Sequence, residues 1–513
     1  MKKLILSTLA ILLCLSAFAL VACNGDDDTT TTNDVTTTDN VTTTNGDNVT
    51  TLPSYEYNIT YELNGGTNNT ENPTGYNTGD IITLAFPTKD DYMFMGWYTD
   101  SALTNEIKEI NNKEENLTLY ADWIPIDEIL EFRLEDGEYT IRDYKKDVAT
   151  LIIPSTYKGL PVTELDSTAF YGCVALEKII IPSTITSMGE AIFDKCSSLT
   201  NIVVDVNNPS YKSIDGILYS KNEKTLVYYP EGKTEKEYSV PVGTEIIGPN
   251  SFNGNPHIET INIPNTVTQV RGIVDCTALK NINIPDSVTY IGGFRGCTSL
   301  KKIVLSNSIT AIYRGAFLEC NSLENVTLSN SLEVLPSDTF YECTSLKTIT
   351  IPNSVKTIGD FAFFGCTNLE SIVLSDGVTH IGRLAGCNSL KSMILPDSVT
   401  FISQGIFVDC ISLESVTLSN NLEIIPSHAF SKCTSLKNII IPKNVKTIEE
   451  FAFANCTSLE SIVIPESVTT IKENIFYGST NTIVYCEAES KPEGWDENWS
   501  DGVKEVIWGY KES

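Results

Sequence analysis

The chain has 513 residues, of which 41% are hydrophobic and 20% charged, so it can bury a core and is long enough for several domains or one repeat array. Its 66 acidic and 35 basic residues give a formal charge of −31, which repels phosphate backbones, so nucleic-acid binding is not expected. The three histidines, His257, His380 and His428, are far apart in sequence, and we predict neither a metal site nor a cofactor.

The first 23 residues predict export and attachment to a membrane. Lys2 and Lys3 precede the apolar residues 4–22, which is the pattern of a secretory signal peptide. The sequence Leu-Val-Ala-Cys at 20–23 resembles the lipobox of bacterial lipoproteins, which implies that Cys23 is acylated and becomes the mature N-terminus. An uncleaved anchor helix is the alternative, because about 20 apolar residues can span a bilayer. Both interpretations place the rest of the chain on the extracellular face of the cell membrane.

Residues 24–53 are rich in threonine and low in sequence complexity. Such a polar segment cannot bury a core, so we expect a disordered, extended tether between the membrane and the folded part.

Residues 54–124 change to short alternating strands separated by Gly and Asn turns, as in Tyr57–Leu63 before Asn64-Gly65-Gly66. The sequences of residues 61–66, 94–100 and 119–123 resemble the B-repeat module of internalin-type surface proteins, which implies a β-grasp-like fold and a spacer or accessory interaction role. We expect an independent unit in which Trp97 and Trp123 belong to the core rather than to a ligand platform.

From residue 125 to residue 478 one repeat dominates, marked by a column of cysteines that recur every 21 or 23 residues with a single step of 59. Leucine follows each cysteine of the column after three residues, apolar residues follow at plus six and plus eight, and phenylalanine usually stands three residues before it. This spacing predicts a mainly β solenoid, a leucine-rich repeat array of ~23-residue coils with one parallel strand per coil and a stacked phenylalanine spine. The repeat, as in residues 433–456, resembles the motif of BspA-like bacterial surface proteins. Residues 479–513, with Trp495, Trp499 and Trp508, resemble that family's C-terminal end and should cap the core.

The cysteine column itself is predicted to be structural. Asn255 and Ser479 occupy the same column, so the position requires a small hydrogen-bonding side chain, and neither substitute can form a disulfide. We therefore expect buried free thiols, although the ~4.8 Å spacing of neighbouring strands would also permit disulfides, and metal binding is a further alternative.

Two surfaces are candidate binding sites for a partner. Outward positions of the repeated strands carry small polar residues and form a rather flat face that suits extended contact, or that is only solvated; it is represented by Asn325, Thr348 and Ser415. The 59-residue step contains an insertion at 205–239 that predicts a β-hairpin leaving the stack. Packing of the hairpin on itself is the favoured interpretation of its tyrosines, which are also candidate contact residues: Tyr211, Tyr219, Tyr228 and Tyr229.

Together these features favour a lipid-anchored cell-surface protein without enzymatic activity, which presents the repeat array to an extracellular protein or glycan. The BspA resemblance implies adhesion, but it carries no set of ligand residues to this chain. An envelope hydrolase or its accessory subunit is one alternative, although the sequence has no nucleophile elbow, HExxH motif or phosphate loop. A purely structural spacer is the other.

Overall fold

The computed structural model of the protein describes residues 55–511. The predicted signal peptide with Cys23 and the threonine-rich tether at 24–53 lie outside the described residues. Within the described range the chain forms 42 strands and one short 3-10 helix, Ile126–Glu128. The strands are numbered along the chain.

Residues 57–125 form a small β module. Its main sheet has the order β2-β1-β7-β4-β5, in which β1 and β7 are parallel, and β3 pairs with β6. Trp97 is buried, and the Trp123 indole Nε1 donates a hydrogen bond to Leu63 O at 2.9 Å, so both tryptophans belong to the core as predicted. The strand bounds are β1 (Tyr57–Glu62), β2 (Gly75–Tyr76), β3 (Ile82–Thr83), β4 (Tyr92–Tyr98), β5 (Glu106–Ile107), β6 (Glu109–Ile110) and β7 (Leu117–Pro125).

The module shares a core with the first coils of the repeat array. Met93 of the module packs in the same apolar cluster as Ile141 and Leu151. The Lys158 backbone N–H also donates to Asp91 Oδ1 at 2.8 Å. The module thus has an apolar core of its own, which includes Trp97, and it also packs against the first coils of the array.

The repeat array is a β solenoid with two ladders of parallel strands. We call the first the front ladder; its strands are β10 (Thr150–Ile152), β13 (Lys178–Ile181), β15 (Asn201–Val204), β19 (Glu237–Ser239), β21 (Thr260–Asn262), β23 (Asn281–Asn283), β25 (Lys302–Val304), β27 (Asn325–Thr327), β29 (Thr348–Thr350), β31 (Ser371–Val373), β33 (Ser392–Ile394), β35 (Ser415–Thr417), β37 (Asn438–Ile440), β39 (Ser461–Ile464), β41 (Ile483–Cys486) and β42 (Glu505–Trp508). The side ladder comprises β12 (Leu160–Leu165), β14 (Ser187–Met188), β18 (Thr225–Tyr228), β20 (Ile246–Ile247), β22 (Gln269–Val270), β24 (Tyr290–Ile291), β26 (Ala311–Ile312), β28 (Val334–Leu335), β30 (Thr357–Ile358), β32 (His380–Ile381), β34 (Phe401–Ile402), β36 (Ile424–Ile425), β38 (Thr447–Ile448) and β40 (Thr470–Ile471). Antiparallel hairpin strands complete the set: β8 (Leu130–Glu135), β9 (Glu138–Tyr144), β11 (Thr156–Tyr157), β16 (Tyr211–Ile214) and β17 (Ile217–Ser220).

A spine of aromatic rings and a column of thiols run along the stack. Phe317 stacks on Phe294 and on Phe340, each at 5.4 Å between ring centroids. From Cys196 onward, each column residue donates a hydrogen bond to the backbone of the preceding coil: Cys343 Sγ reaches Phe317 O at 3.1 Å, and Ser479 Oγ reaches Phe453 O at 2.7 Å. All twelve cysteines in the described range are free and buried, which confirms the prediction of structural thiols.

The insertion at 205–239 contains the predicted β-hairpin, but it does not leave the stack, so that part of the prediction was wrong. Its hairpin strands β16 and β17 are antiparallel, and β17 also pairs with β18. Strand β18, however, pairs in parallel with β20 of the side ladder, and β19 pairs in parallel with β21 of the front ladder. Most of the insertion is therefore one further coil of the solenoid, to which the β16–β17 hairpin is added.

The C-terminal residues cover the end of the core. Strands β41 and β42 extend the front ladder, and Trp495 and Trp499 are buried with ring centroids 4.7 Å apart. Trp499 lies edge-on to Phe476, the last ring of the spine, at 6.4 Å. Trp495 Nε1 donates to Val468 O at 3.1 Å, so the indole group satisfies a buried carbonyl at the end of the stack.

Candidate binding surfaces

The front ladder exposes one side-chain row on each side of its buried central residue. Asn325, Thr348 and Ser415 are the first residues of their strands and are all exposed, as the alternation of the strands predicted. Asn325 and Thr348 lie in neighbouring coils. Ser415 lies three coils further along, so the three residues do not form one compact site.

Shallow depressions mark the front face. Lys302, Asn325 and Thr348 line a depression of about 680 Å³ between the strands of neighbouring coils. A second depression, of about 750 Å³, is lined by residues of β31 and β33, including Ser392 and Ile394. The face therefore offers a series of shallow recesses.

The front face also carries exposed aliphatic side chains that the sequence analysis did not single out. They stand seven residues after the column cysteine, and their exposed fractions are 47% for Val304, 53% for Val373, 69% for Ile394 and 83% for Ile440. The sequence contains the signal for them, because a residue at plus seven stands between the buried residues at plus six and plus eight and must face outward. We call this set the aliphatic row.

The four tyrosines of the insertion do not form a contact surface. Tyr219, Tyr228 and Tyr229 are buried, and Tyr211 is partly buried. Tyr228 OH donates to Phe193 O at 2.8 Å, the same hydrogen bond that the thiols make elsewhere in the column. Burial raises the pKa of Tyr228 well above its usual value. These side chains are part of the core, and the premise that they are exposed anchors is wrong.

At two places in the stack, charged residues four positions after the column residues form ion pairs between coils. The Glu259 carboxylate lies 2.9 Å from Lys236 Nζ and 2.8 Å from Lys280 Nζ. These hydrogen bonds lower the pKa of Glu259 to about 2. Lys437 Nζ similarly lies 3.0 Å from Glu414 Oε2. Such exposed pairs contribute little to stability.

The thiol column is unsuited to nucleophilic chemistry. Burial raises the pKa of Cys366 and of Cys456 to about 12 in each case, so both remain protonated and unreactive near neutral pH. Among residues 55–511, no group of three or more His, Cys, Asp or Glu side chains is arranged to hold a metal ion. The same part of the chain contains no helix with the length and apolar character needed to cross a membrane.

Comparison with protein families identifies both folded parts. A family model described as a BspA type leucine-rich repeat region matches residues 144–235, 227–292, 273–385 and 383–483. A second, the Listeria-Bacteroides repeat domain, matches residues 57–122 of the β module.

Individual relatives match different shares of the chain. A leucine-rich repeat protein from Bacteroides ovatus has a crystal structure that is 29% identical, covers 74% of this chain and 98% of its own, and superposes with a TM-score of 0.52. Two proteins of Evansella cellulosilytica that carry the names of membrane proteins are 41% identical over 70 residues and 37% identical over 86 residues. The matches cover 13% and 17% of this chain, and the chain spans only 10% and 9% of the length of those two relatives.

Proposed function

Because the chain belongs to the BspA-type leucine-rich repeat family, we propose that it is a cell-surface binding protein without enzymatic activity, which presents its front face to an extracellular protein or glycan. In this proposal a lipid on Cys23 holds the protein at the outer face of the membrane, and the threonine-rich tether separates the folded part from the bilayer.

The observation that carries the proposal is the aliphatic row. Water contacts most of the surface of Ile394 and Ile440, which are 69% and 83% exposed, although a β-branched side chain gains by burial. Val373 and Ile394 lie in neighbouring coils beside one recess, and a contiguous exposed apolar patch is typical of an interaction surface. The first positions of the same strands are polar, as at Asn325 and Thr348, and can form the hydrogen bonds of the rim.

Binding is tested with the chain from residue 24 onward, probed against arrays of extracellular matrix proteins and of glycans. We expect a ligand whose affinity falls at least tenfold in Ile394→Asp with Ile440→Asp, because two charges would enter the desolvated centre of the contact. Val242→Asp is the control, since Val242 is 85% exposed and lies outside the front ladder. Absence of any ligand would favour the structural spacer, and turnover in a hydrolase screen would favour the enzyme.

Membrane attachment is tested separately with Cys23→Ala. The names of the Evansella proteins support a membrane location, although the matched segment is a small part of each. We expect the native protein to partition into the detergent phase, and the variant to appear in the medium or as an uncleaved precursor. A native N-terminal peptide whose mass shows no acyl group would contradict lipid anchoring.

A further inference from the structure

Two neighbouring coils of the solenoid are shorter than the others, and both lose residues at the same corner. In a 23-residue coil, five positions separate the last side-ladder residue from the spine residue, as from Ile312 to Phe317. Only three positions separate Ile291 from Phe294, and the preceding coil has the same spacing. The missing residues belong to the corner that contains Gly315 in the following full-length coil. At this corner the surface of the two shortened coils is therefore recessed relative to the coils on either side, and the recess forms a groove of about 700 Å³.

Glycines allow the backbones of the shortened coils to approach closely. A Cβ atom on Gly272 would lie 2.2 Å from Gly248 O. Gly293 has φ of 75°, and a Cβ atom there would lie 2.0 Å from Arg271 O. No other residue fits these two positions without moving the backbone, so the shape of the groove is built into the fold.

The groove is rich in arginine, although the chain as a whole is acidic. The whole chain has six arginines and a formal charge of −31, and three of the six, Arg271, Arg295 and Arg314, line this groove. Arg314 forms an ion pair with Asp338 at 2.6 Å. Among the ion pairs of residues 55–511 neither Arg271 nor Arg295 takes part, although Glu190 also lines the groove. Two guanidinium groups are therefore left to bind an external anion.

Two tyrosines complete the lining. Tyr313 is 61% exposed, and its Cβ lies 3.0 Å from the position that a Cβ on Gly292 would take, so its stem packs on the glycine while the ring stays accessible. The Arg271 guanidinium lies over the Tyr290 ring, 5.4 Å from its centroid, which holds the cation in place. Planar guanidinium groups bind carboxylate and sulfate through paired hydrogen bonds, and an aromatic ring offers an apolar surface to a sugar ring.

We propose that this groove binds an acidic saccharide, with its carboxylate or sulfate groups on Arg271 and Arg295 and a sugar ring against Tyr313. The groove is a site separate from the front face. This assignment rests on the proposed function, because acidic saccharides of this kind occur outside the cell. The groove has the volume of a typical small-ligand site and is open to solvent.

The test is calorimetric titration of the chain from residue 24 onward with oligogalacturonate, heparin oligosaccharide, neutral dextran and poly-glutamate. We expect one or both acidic saccharides to bind and dextran not to bind. Binding of heparin alone would assign a sulfated ligand, and binding of oligogalacturonate would assign a carboxylate ligand. Arg271→Gln with Arg295→Gln should lose at least tenfold in affinity, and Tyr313→Ala at least fivefold. The matched control removes the same charge elsewhere, with Arg142→Gln and Arg383→Gln, and should stay within twofold.

Several results would overturn the inference. Undiminished affinity in the double arginine variant, with its fold checked by circular dichroism, would place the anion elsewhere. Equal binding of poly-glutamate, together with no effect of Tyr313→Ala, would assign an acidic peptide instead. Failure of both acidic saccharides while the front face binds a ligand on the arrays would reject the groove and leave the proposed function intact. Saccharide binding by a protein that is absent from the cell surface would reject only the proposed function.

Discussion

Tyr228 tests whether the insertion is a coil of the solenoid or a hairpin outside it. The Tyr228 ring lies 5.4 Å from Phe193, and only 4% of the residue is exposed. Removal of a fully packed aromatic ring costs about 3–5 kcal/mol of unfolding free energy, so we expect a loss of that size for Tyr228→Ala. Tyr228→Phe keeps the ring and removes only the hydroxyl donor. Because Phe193 O still accepts the Cys196 N–H at 3.1 Å, this variant should lose only ~0.5–1.5 kcal/mol.

The measurement combines urea unfolding with hydrogen exchange of peptides from residues 196–276. Stability in a repeat array is shared between neighbouring coils, so we expect faster exchange in the coils that contact Tyr228 and little change near the C-terminus. Val206→Ala is the control in the same insertion, since Val206 is 83% exposed and should change neither readout. Wild-type stability and exchange in Tyr228→Ala would refute the placement of this residue in the spine.

Three further predictions follow from burial. Under native conditions a thiol reagent should label few of the twelve described cysteines, and in denaturant without reductant it should label all of them; labelling that requires reductant would reveal disulfides. Phe363→Ala should lower the unfolding free energy by ~3–5 kcal/mol, because Phe363 is fully buried and its ring stacks on Phe340 with 5.5 Å between centroids. Phe364 is only half-buried, so Phe364→Ala should lower the unfolding free energy by less. Burial, and to a smaller extent the Asp194 carboxylate, raises the pKa of Glu231 from 4.5 to about 7. The stability that the protonated form of Glu231 contributes is therefore complete below pH 4.5 and is lost as the pH rises through 7. The melting temperature should fall over that range, and Glu231→Gln should flatten the curve; an unchanged slope in the variant would assign the pH dependence to other groups.

The periodic features of the fold could be predicted because every coil repeats the same local requirements. Leucine at plus three and aliphatic residues at plus six and plus eight fix which side of each strand is buried. The substitution of the cysteine by Asn255 or Ser479 revealed that the column needs a hydrogen bond and not a sulfur atom. The structure confirms this reasoning, since Asn255 Nδ2 donates to three carbonyls of the preceding turn, including Lys233 O at 3.0 Å.

The insertion could not be placed in the same way. The antiparallel pair β17–β18 has a local signal, because two alternating segments flank a polar turn. The parallel pairing of β18 with β20 has none, since it depends on a neighbouring coil about 20 residues away. This coil also lacks the cysteine marker. The Tyr228 hydroxyl takes the place of the thiol and makes the hydrogen bond to Phe193 O. A coil whose marker has been replaced in this way is not recognisable from spacing alone.

The shortened coils show why a regular array can still contain a specific site. A third short coil, at residues 366–386, also carries an arginine, but it stands alone between coils of normal length. There the Arg383 guanidinium lies over Phe361, 4.9 Å from the ring centroid, and its Nε donates to Gln404 O at 2.9 Å, so the neighbouring coils satisfy it. Where two short coils are adjacent, each lacks a full-length neighbour on one side, and Arg271 and Arg295 have no ion pair within the described part of the chain. The step of 21 residues is visible in the sequence, but only the pairing of two such steps opens a groove, and only the structure shows that the arginines remain available there.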